Sequence, residues 1–374
     1  DLGAVWGQQF GLEVANYFAK GDEPTFETPS FRRSDAFDAT AREVKAVRNG
    51  VGINEVQNFG KFLVKGPNAR GWLDRIMAGR VPAKGRLSLT PMLSEMGKLI
   101  GDFTISCLAE DLFQLTASYG SQSYHFRWFL SHLEEGVEVE NLSDRRTGFQ
   151  IAGPKARDVL QACTRTDVTD MKFLDVWEMT VGQSSCIVQR VSYTGDLGFE
   201  IYCDPMDQRS LWGHLWAAGQ PHGITPFGMR AMMSLRLDKF FGSWMAEFSP
   251  DYTAAETGLD RFISFKKNTA FIGRAAAEAE RATPPERQLV SFKVAAQDAD
   301  VQGYEPIWLE GAVVGFCTSG GYSHFSGTSV ALGFVPRARA VEGLEVEIEI
   351  LGQMRPATLI TTPLFDPEGT AMRG

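Results

Sequence analysis

An α+β body followed by an all-β C-terminal domain is the fold class that this sequence predicts. Three observations lead there. Short β-type runs and segments of helical apolar spacing are interspersed as far as residue 282. A TPPERQ stretch at 283–288 then follows an Ala-rich helical segment and reads as a boundary. Beyond it lie only short strands with Gly-rich turns, at 288–294, 306–309, 313–318, 329–334, 344–350 and 357–361, which reads as a sandwich or a small barrel.

Taken in order, residues 35–51 open with capping-type residues, place Ala41, Val44, Ala46 and Val47 on one helical side, and stop at Gly50. A strand at 60–64, the punctuation Gly66-Pro67, and a helix at 68–77 with Ala69, Trp72, Leu73 and Ile76 on one face come next. Runs at 100–108 and 112–117 read as a hairpin, and the aromatic helix 121–133 covers it. A strand at 148–151, Gly153-Pro154 and a helix at 155–163 repeat the earlier strand–turn–helix, a weak internal duplication. Strands at 185–192 and 199–203 and helices at 207–218 and 227–238 complete the body. The domain division expected is 1–50 with 140–282 as a first, discontinuous lobe, 51–139 as a second, and 283–374 as the all-β domain.

Composition narrows the function classes. With 37 Lys and Arg against 46 Asp and Glu, the net charge is −9, which argues against a nucleic-acid partner. Hydrophobic content of 44% with 22% charged residues is that of a folded globular chain. No apolar run approaches the ~18 to 20 residues that span a bilayer, so no membrane partner is expected. The five cysteines show no CxxC pair and the five histidines no ligand spacing, so reduced thiols and no metal are expected, in the cytoplasm or another reducing soluble compartment. The start lacks a secretory signal and a methionine, and reads as a processed product or part of a larger polypeptide. GxGxxG, GxxxxGK[ST] and GxSxG are all absent. The pair Gly320-Gly321 reads as a turn.

Carboxylates beside glycine-rich turns remain. Asp102, in GKLIGDFTI at 97–105, is either a turn carboxylate in water or a strand carboxylate whose burial suits proton transfer. In YTGDLGFE at 193–200, Asp196 suits the turn, whereas Glu200 stands in an apolar strand. There it either faces solvent or meets a ligand with paired donors. Arg230 and Arg236 lie on an otherwise apolar helix, where arginines bind carboxylates of the protein or of a ligand.

These motifs, with FRRS at 31–34, REVKAVR at 42–48, TPML at 90–93, SLRL at 234–237, GSW at 242–244, PDYT at 250–253, FIGR at 271–274, TSGGY at 318–322 and PLFDP at 363–367, carry a resemblance over nearly the whole chain. The sequence resembles the glycine-cleavage T-protein (aminomethyltransferase) family, and more closely the folate-binding C-terminal part of dimethylglycine and sarcosine dehydrogenases. The resemblance implies a three-lobed aminomethyltransferase-like ring with tetrahydrofolate in its central hole. It implies proton transfer by Asp102, a grip on the pterin edge by Glu200, and further lining by Arg230, Tyr193 and Phe59, the last in the position of a family methionine. Where the family has an acid before that aspartate, this chain has Gly101. The segment from Trp6 to Phe18 resembles the inter-domain entry of the dehydrogenases, implying an oxidative domain or subunit as partner beside a small methylated amine or related methyl donor. The expected function is capture of a formaldehyde- or iminium-level carbon as 5,10-methylene-tetrahydrofolate. A free-standing folate-dependent demethylase and a non-catalytic folate-binding module are the alternatives.

Overall fold

The structure, a computed structural model, describes residues 2–374. Its body is built from two sheets, one wholly antiparallel and one antiparallel but for its last pair, each with an apolar face covered by helices. The five-stranded sheet runs, in spatial order, Leu87–Leu93, Leu99–Ala109, Leu112–Ser118, Phe59–Lys65 and Glu138–Asn141. The six-stranded sheet runs Val176–Val181, Ser184–Gln189, Gly198–Cys203, Thr147–Ala152, Gly52–Glu55 and Thr225–Pro226. A closed six-stranded barrel, from Arg287–Val294 to Gln353–Ile360, forms the C-terminal part. A two-stranded hairpin, Ala4–Gln9 and Leu12–Phe18, opens the chain.

The internal duplication extends further than the sequence suggested. In each sheet a strand leads through a Gly-Pro turn into an eight-residue helix, Ala69–Ile76 or Ala156–Cys163, and then into a three-strand meander. In each sheet the last strand of the meander returns to pair with the first strand. Gly66 and Gly153 carry the turns with φ of +122° and +123°, and a side chain at either would collide with a carbonyl oxygen, of Gly136 or Val47. Glycine is required at both for the same steric reason. The first helix buries Ala69, Trp72, Leu73 and Ile76 as its spacing anticipates, against Phe103, Ile105, Phe113 and Leu115 of its sheet.

Three sequence expectations change. Gly52–Glu55 pairs with Thr147–Ala152, so these residues belong to the six-stranded sheet and not to the second lobe beginning at 51. Likewise Glu138–Asn141, whose last two residues were assigned to the first lobe, pairs with Phe59–Lys65. Gly320-Gly321 is no turn. It lies within the barrel strand Ala312–Ser323, opposite Ala331 and Val330, where a side chain at Gly320 would meet Val301 at 2.5 Å. All five cysteines are free, four of them buried. No helix among the described residues is long and apolar enough to cross a membrane.

Candidate functional site

Asp102 owes its direction to a local irregularity. Leu99 pairs with Leu93 and Gly101 with Met92, so Ile100 is an extra residue between them, a bulge that re-aims the strand. Beyond it Phe103, Ile105 and Cys107 enter the apolar core, while alternation turns Asp102, Thr104 and Ser106 to the opposite face. Thr104 pairs with Thr116 and Thr116 with Lys61, so that face is polar across three strands. Asp102 keeps partial solvent access although protein encloses it, and burial pushes its carboxyl up to about 6. Gly101 points the other way, where a Cβ would fall 2.9 Å from His125 Nε2 and against the Phe103 ring.

Glu200 sits in the interior of the six-stranded sheet, 6% exposed, between Gln189 on one neighbouring strand and Gln150 on the other. Asn54 extends this row and accepts from Gln150 Nε2 at 3.3 Å. The amide of Gln189 and the Gln150 oxygen, buried in the same row, have no partner among the described residues. Tyr202 Oη donates to Glu200 Oε2 at 2.7 Å. Burial nevertheless pushes the Glu200 carboxyl up to about 7, with Tyr202 and the Lys61 charge pulling the other way. The solvent-facing reading of Glu200 therefore fails.

The two polar faces look toward each other. Leu108 and Leu112 of the five-stranded sheet pack with Val176, Ile187 and Tyr202 of the six-stranded one, and Phe59 joins the same cluster. Phe59 pairs with Ser118, two residues from Lys61 and on the same face. Lys61 is fully buried, and its ammonium donates to the Phe59 and Ser143 carbonyls at 2.8 and 3.3 Å. Burial pushes it down to about 8. Tyr193 is half-buried, and its Oη donates to the Gly242 carbonyl at 2.8 Å. Burial raises its phenol, and the nearby charges of Glu247 and Asp102 add to this.

Arg230 departs from the expected set. Its helix, Met229–Leu237, buries Ala231, Ser234 and Leu235, which leaves Arg230 on the exposed side, 2.9 Å from Glu27. Arg236, fully buried, pairs with Glu247 at 3.3 Å, so both arginines take the protein's own carboxylates. Asp196 stands in the turn it suits, but out of solvent. It is 2% exposed and binds Arg48, whose Nη2 also donates to Asp238 at 2.8 Å. This cluster ties the helix Ala36–Asn49 to the YTGD turn, the helix Met229–Leu237 and, through Ser323, the barrel. Lys61, Tyr202 and the glutamine row went unnoticed in the sequence. The one visible signal was a lysine at an inward position of FGKFLVK.

Two clefts, of about 720 and 550 Å³, lie outside this set, and neither is lined by Asp102, Glu200 or Tyr193. The second is walled by Trp6, Val14 and Phe18 of the N-terminal hairpin and by Asn54 and Asn58.

A fold of two duplicated sheets and a barrel, with carboxylates on facing polar walls, is that of a T-protein-like body. Family models for the GCVT N-terminal domain and the glycine cleavage T-protein C-terminal barrel domain match residues 1–267 and 287–366. The chain belongs to the glycine-cleavage T-protein (aminomethyltransferase) family. It is 36% identical over 372 residues to mitochondrial dimethylglycine dehydrogenase of Homo sapiens, covering 98% of this chain and 43% of that protein. It thus spans under half the length of those relatives. It is 30% identical to the aminomethyltransferase of Natranaerobius thermophilus, covering 88% of this chain and 91% of that one. The crystal structure of glycine cleavage system aminomethyltransferase T from Bartonella henselae superposes with a TM-score of 0.86 at 22% identity, over 98% of this chain and 95% of that one, and shows the same fold.

Proposed function

We propose that this protein is a tetrahydrofolate-dependent one-carbon transferase that captures a formaldehyde- or iminium-level carbon from a methylated amine as 5,10-methylene-tetrahydrofolate. The supporting observation is the pair of carboxylates, Asp102 and Glu200, raised by burial on facing polar walls of a T-protein-family body. The walls fit a pterin: Glu200 is a buried acceptor whose neighbours Gln189 and Gln150 hold unpartnered amide atoms. When bound, tetrahydrofolate supplies the nitrogens that take the carbon. Glu200 accepts from the donors of the amino-pyrimidine edge, a charge-assisted contact. Asp102, near 6, accepts a proton when ionised and returns it to a leaving amine or water. Tyr193, its phenol kept neutral, lines the wall near Asp102. Phe59 offers a ring for packing on the pterin.

The similarity to dimethylglycine dehydrogenase supports a methylated amine as the carbon source and an oxidative domain or subunit as partner. Calorimetry with tetrahydrofolate in the presence of a chelator should show one saturable site. Methylene-tetrahydrofolate should then form faster than in the spontaneous reaction with formaldehyde. Absence of heat and of any thermal shift at millimolar folate refutes the reading, and binding without a rate above background leaves a folate-binding module.

A further inference from the structure

The N-terminal hairpin has two unlike faces. Val5 and Tyr17 are cross-strand partners, and both are buried against Ala36 and Ala39 of the helix Ala36–Asn49. Alternation turns Ala4, Trp6 and Phe18 the other way, where they wall the cleft of about 550 Å³. Trp6 is 59% exposed, a large ring left without a cover. The opposite wall is the helix Gln208–Gly219, which brings Arg209 and Trp212, three residues apart, to one side. Trp212 is fixed there: its ring stacks on Trp216 at 5.4 Å and meets Phe149 at 5.3 Å between centroids. Glu55, at the end of the strand Gly52–Glu55, pairs with Phe149 and so stands on the same face.

Among the described residues, Glu55 and Arg209 are the charged side chains of this cleft. They have opposite signs and do not meet. Among the described residues neither forms an ion pair within 4.0 Å or a side-chain hydrogen bond. Glu55 keeps solvent access, yet the surrounding walls raise its carboxyl by desolvation, and no cation draws it back. The cleft also adjoins the carboxylate site. Asn58 lines it, and Phe59, the next residue, packs in the cluster of Tyr202 between the two sheets.

We propose that this cleft binds a small zwitterion with a methylated nitrogen, an N-methyl amino acid, its ammonium at Glu55, its methyl groups against Trp6 and Trp212, and its carboxylate at Arg209. The inference deepens the reading above, on which the ligand's role as carbon donor rests; the binding itself needs no folate. Two opposite charges that face one cleft without pairing are both satisfied by a ligand that carries both. An unmethylated ammonium is strongly hydrated and gains little from apolar walls. Methyl groups lower that hydration and pack on indole faces, which attract cations. The N–H left on a secondary or tertiary ammonium donates to Glu55.

The test is a ligand-observed NMR titration of the full chain, without folate, with N,N-dimethylglycine, glycine and dimethylammonium chloride as probes. N,N-dimethylglycine should bind at least about tenfold tighter than glycine, which lacks the methyl groups, and than dimethylammonium, which lacks the carboxylate. Glu55→Gln and Arg209→Gln should each weaken it by about tenfold or more. Trp6→Ala should narrow the gap between N,N-dimethylglycine and glycine. Should a variant fold poorly, the three-probe comparison in the parent still decides. Equal affinity for the three probes, no binding of N,N-dimethylglycine, or unchanged binding in folded Glu55→Gln and Arg209→Gln overturns the site and leaves the folate reading to its own calorimetry. Binding as expected in a chain that takes no tetrahydrofolate upholds the site, while the folate reading falls.

Discussion

Replacing Glu200 by Gln separates what this side chain costs the fold from what it gives the ligand. The substitution keeps the shape and an oxygen able to accept from Tyr202 Oη, but removes the charge. In the folded protein Glu200 holds its proton up to about pH 7, whereas an exposed glutamate releases it near 4.5. Between those values the folded state binds more protons than the unfolded one, so the contribution of Glu200 to stability falls as pH rises through the window, then levels off. A rise from 4.5 to about 7 corresponds to roughly 3 kcal/mol lost above pH 7, at 1.36 kcal/mol per pH unit. The variant avoids that loss. Glu200→Gln should therefore unfold with the parent at pH 5 and be more stable, by about 1–3 kcal/mol, at pH 8.5 in urea titrations without ligand. The raised carboxyls of Asp102 and Glu43 are common to both proteins and drop out of the difference. Tetrahydrofolate affinity should move the opposite way, weaker by about 2–3 kcal/mol, because an amide replaces an ionised acceptor facing donors. A variant less stable than the parent at pH 8.5 refutes the reasoning, since the ionised carboxylate would then be a structural partner of Lys61 or Tyr202.

Asp102→Asn should fold and bind folate like the parent while methylene-tetrahydrofolate formation slows about 10²–10⁴-fold. The parent rate should rise with pH through about 6 and the variant's should be flat, read by stopped-time assay of the folate product. Arg48→Met strands the buried Asp196 and Asp238 carboxylates and should cost about 3–5 kcal/mol by denaturant titration, with little recovery at high salt. Arg230→Ala removes an exposed guanidinium from Glu27, which is largely covered and keeps its hydrogen bonds from Asn16 and Ser34. It should change stability by less than about 1 kcal/mol and leave folate affinity intact, and a tenfold loss on calorimetry would return Arg230 to the site.

The helices were legible because their apolar spacing is strong, as in Ala69, Trp72, Leu73 and Ile76. The strands Val176–Val181 and Leu87–Leu93 were not, because each lies at a sheet edge and alternates imperfectly. Asp102 and Glu200 stood out as charges in apolar runs, but the sequence could not say which face each would take. That choice was made by the bulge at Ile100 for one and by the central position of its strand for the other. Arg230 and Arg236 show the same limit: six residues apart on one helix, they end on opposite sides, one exposed and one fully buried. Partners far along the chain, such as Arg48 with Asp196 and Asp238, leave no local trace at all.

The duplicated architecture explains how two carboxylates raised by desolvation coexist. Each sheet presents a three-strand meander, and a faithful repeat would put equivalent side chains at equivalent places on the two facing walls. The acids break that symmetry. Asp102 lies on the middle strand of its meander, whereas Glu200 lies on the last strand of the other. Burial raises both, and neither carboxyl figures among the causes of the other's shift. Two acids sharing one proton would titrate as a unit, with one pushed far up by its twin. These are set separately, each by its own desolvation, so one can exchange a proton near 6 while the other takes its charge from contact with a ligand's donors. The fold supplies two similar walls, and the offset between their acids is what lets the walls do different chemistry.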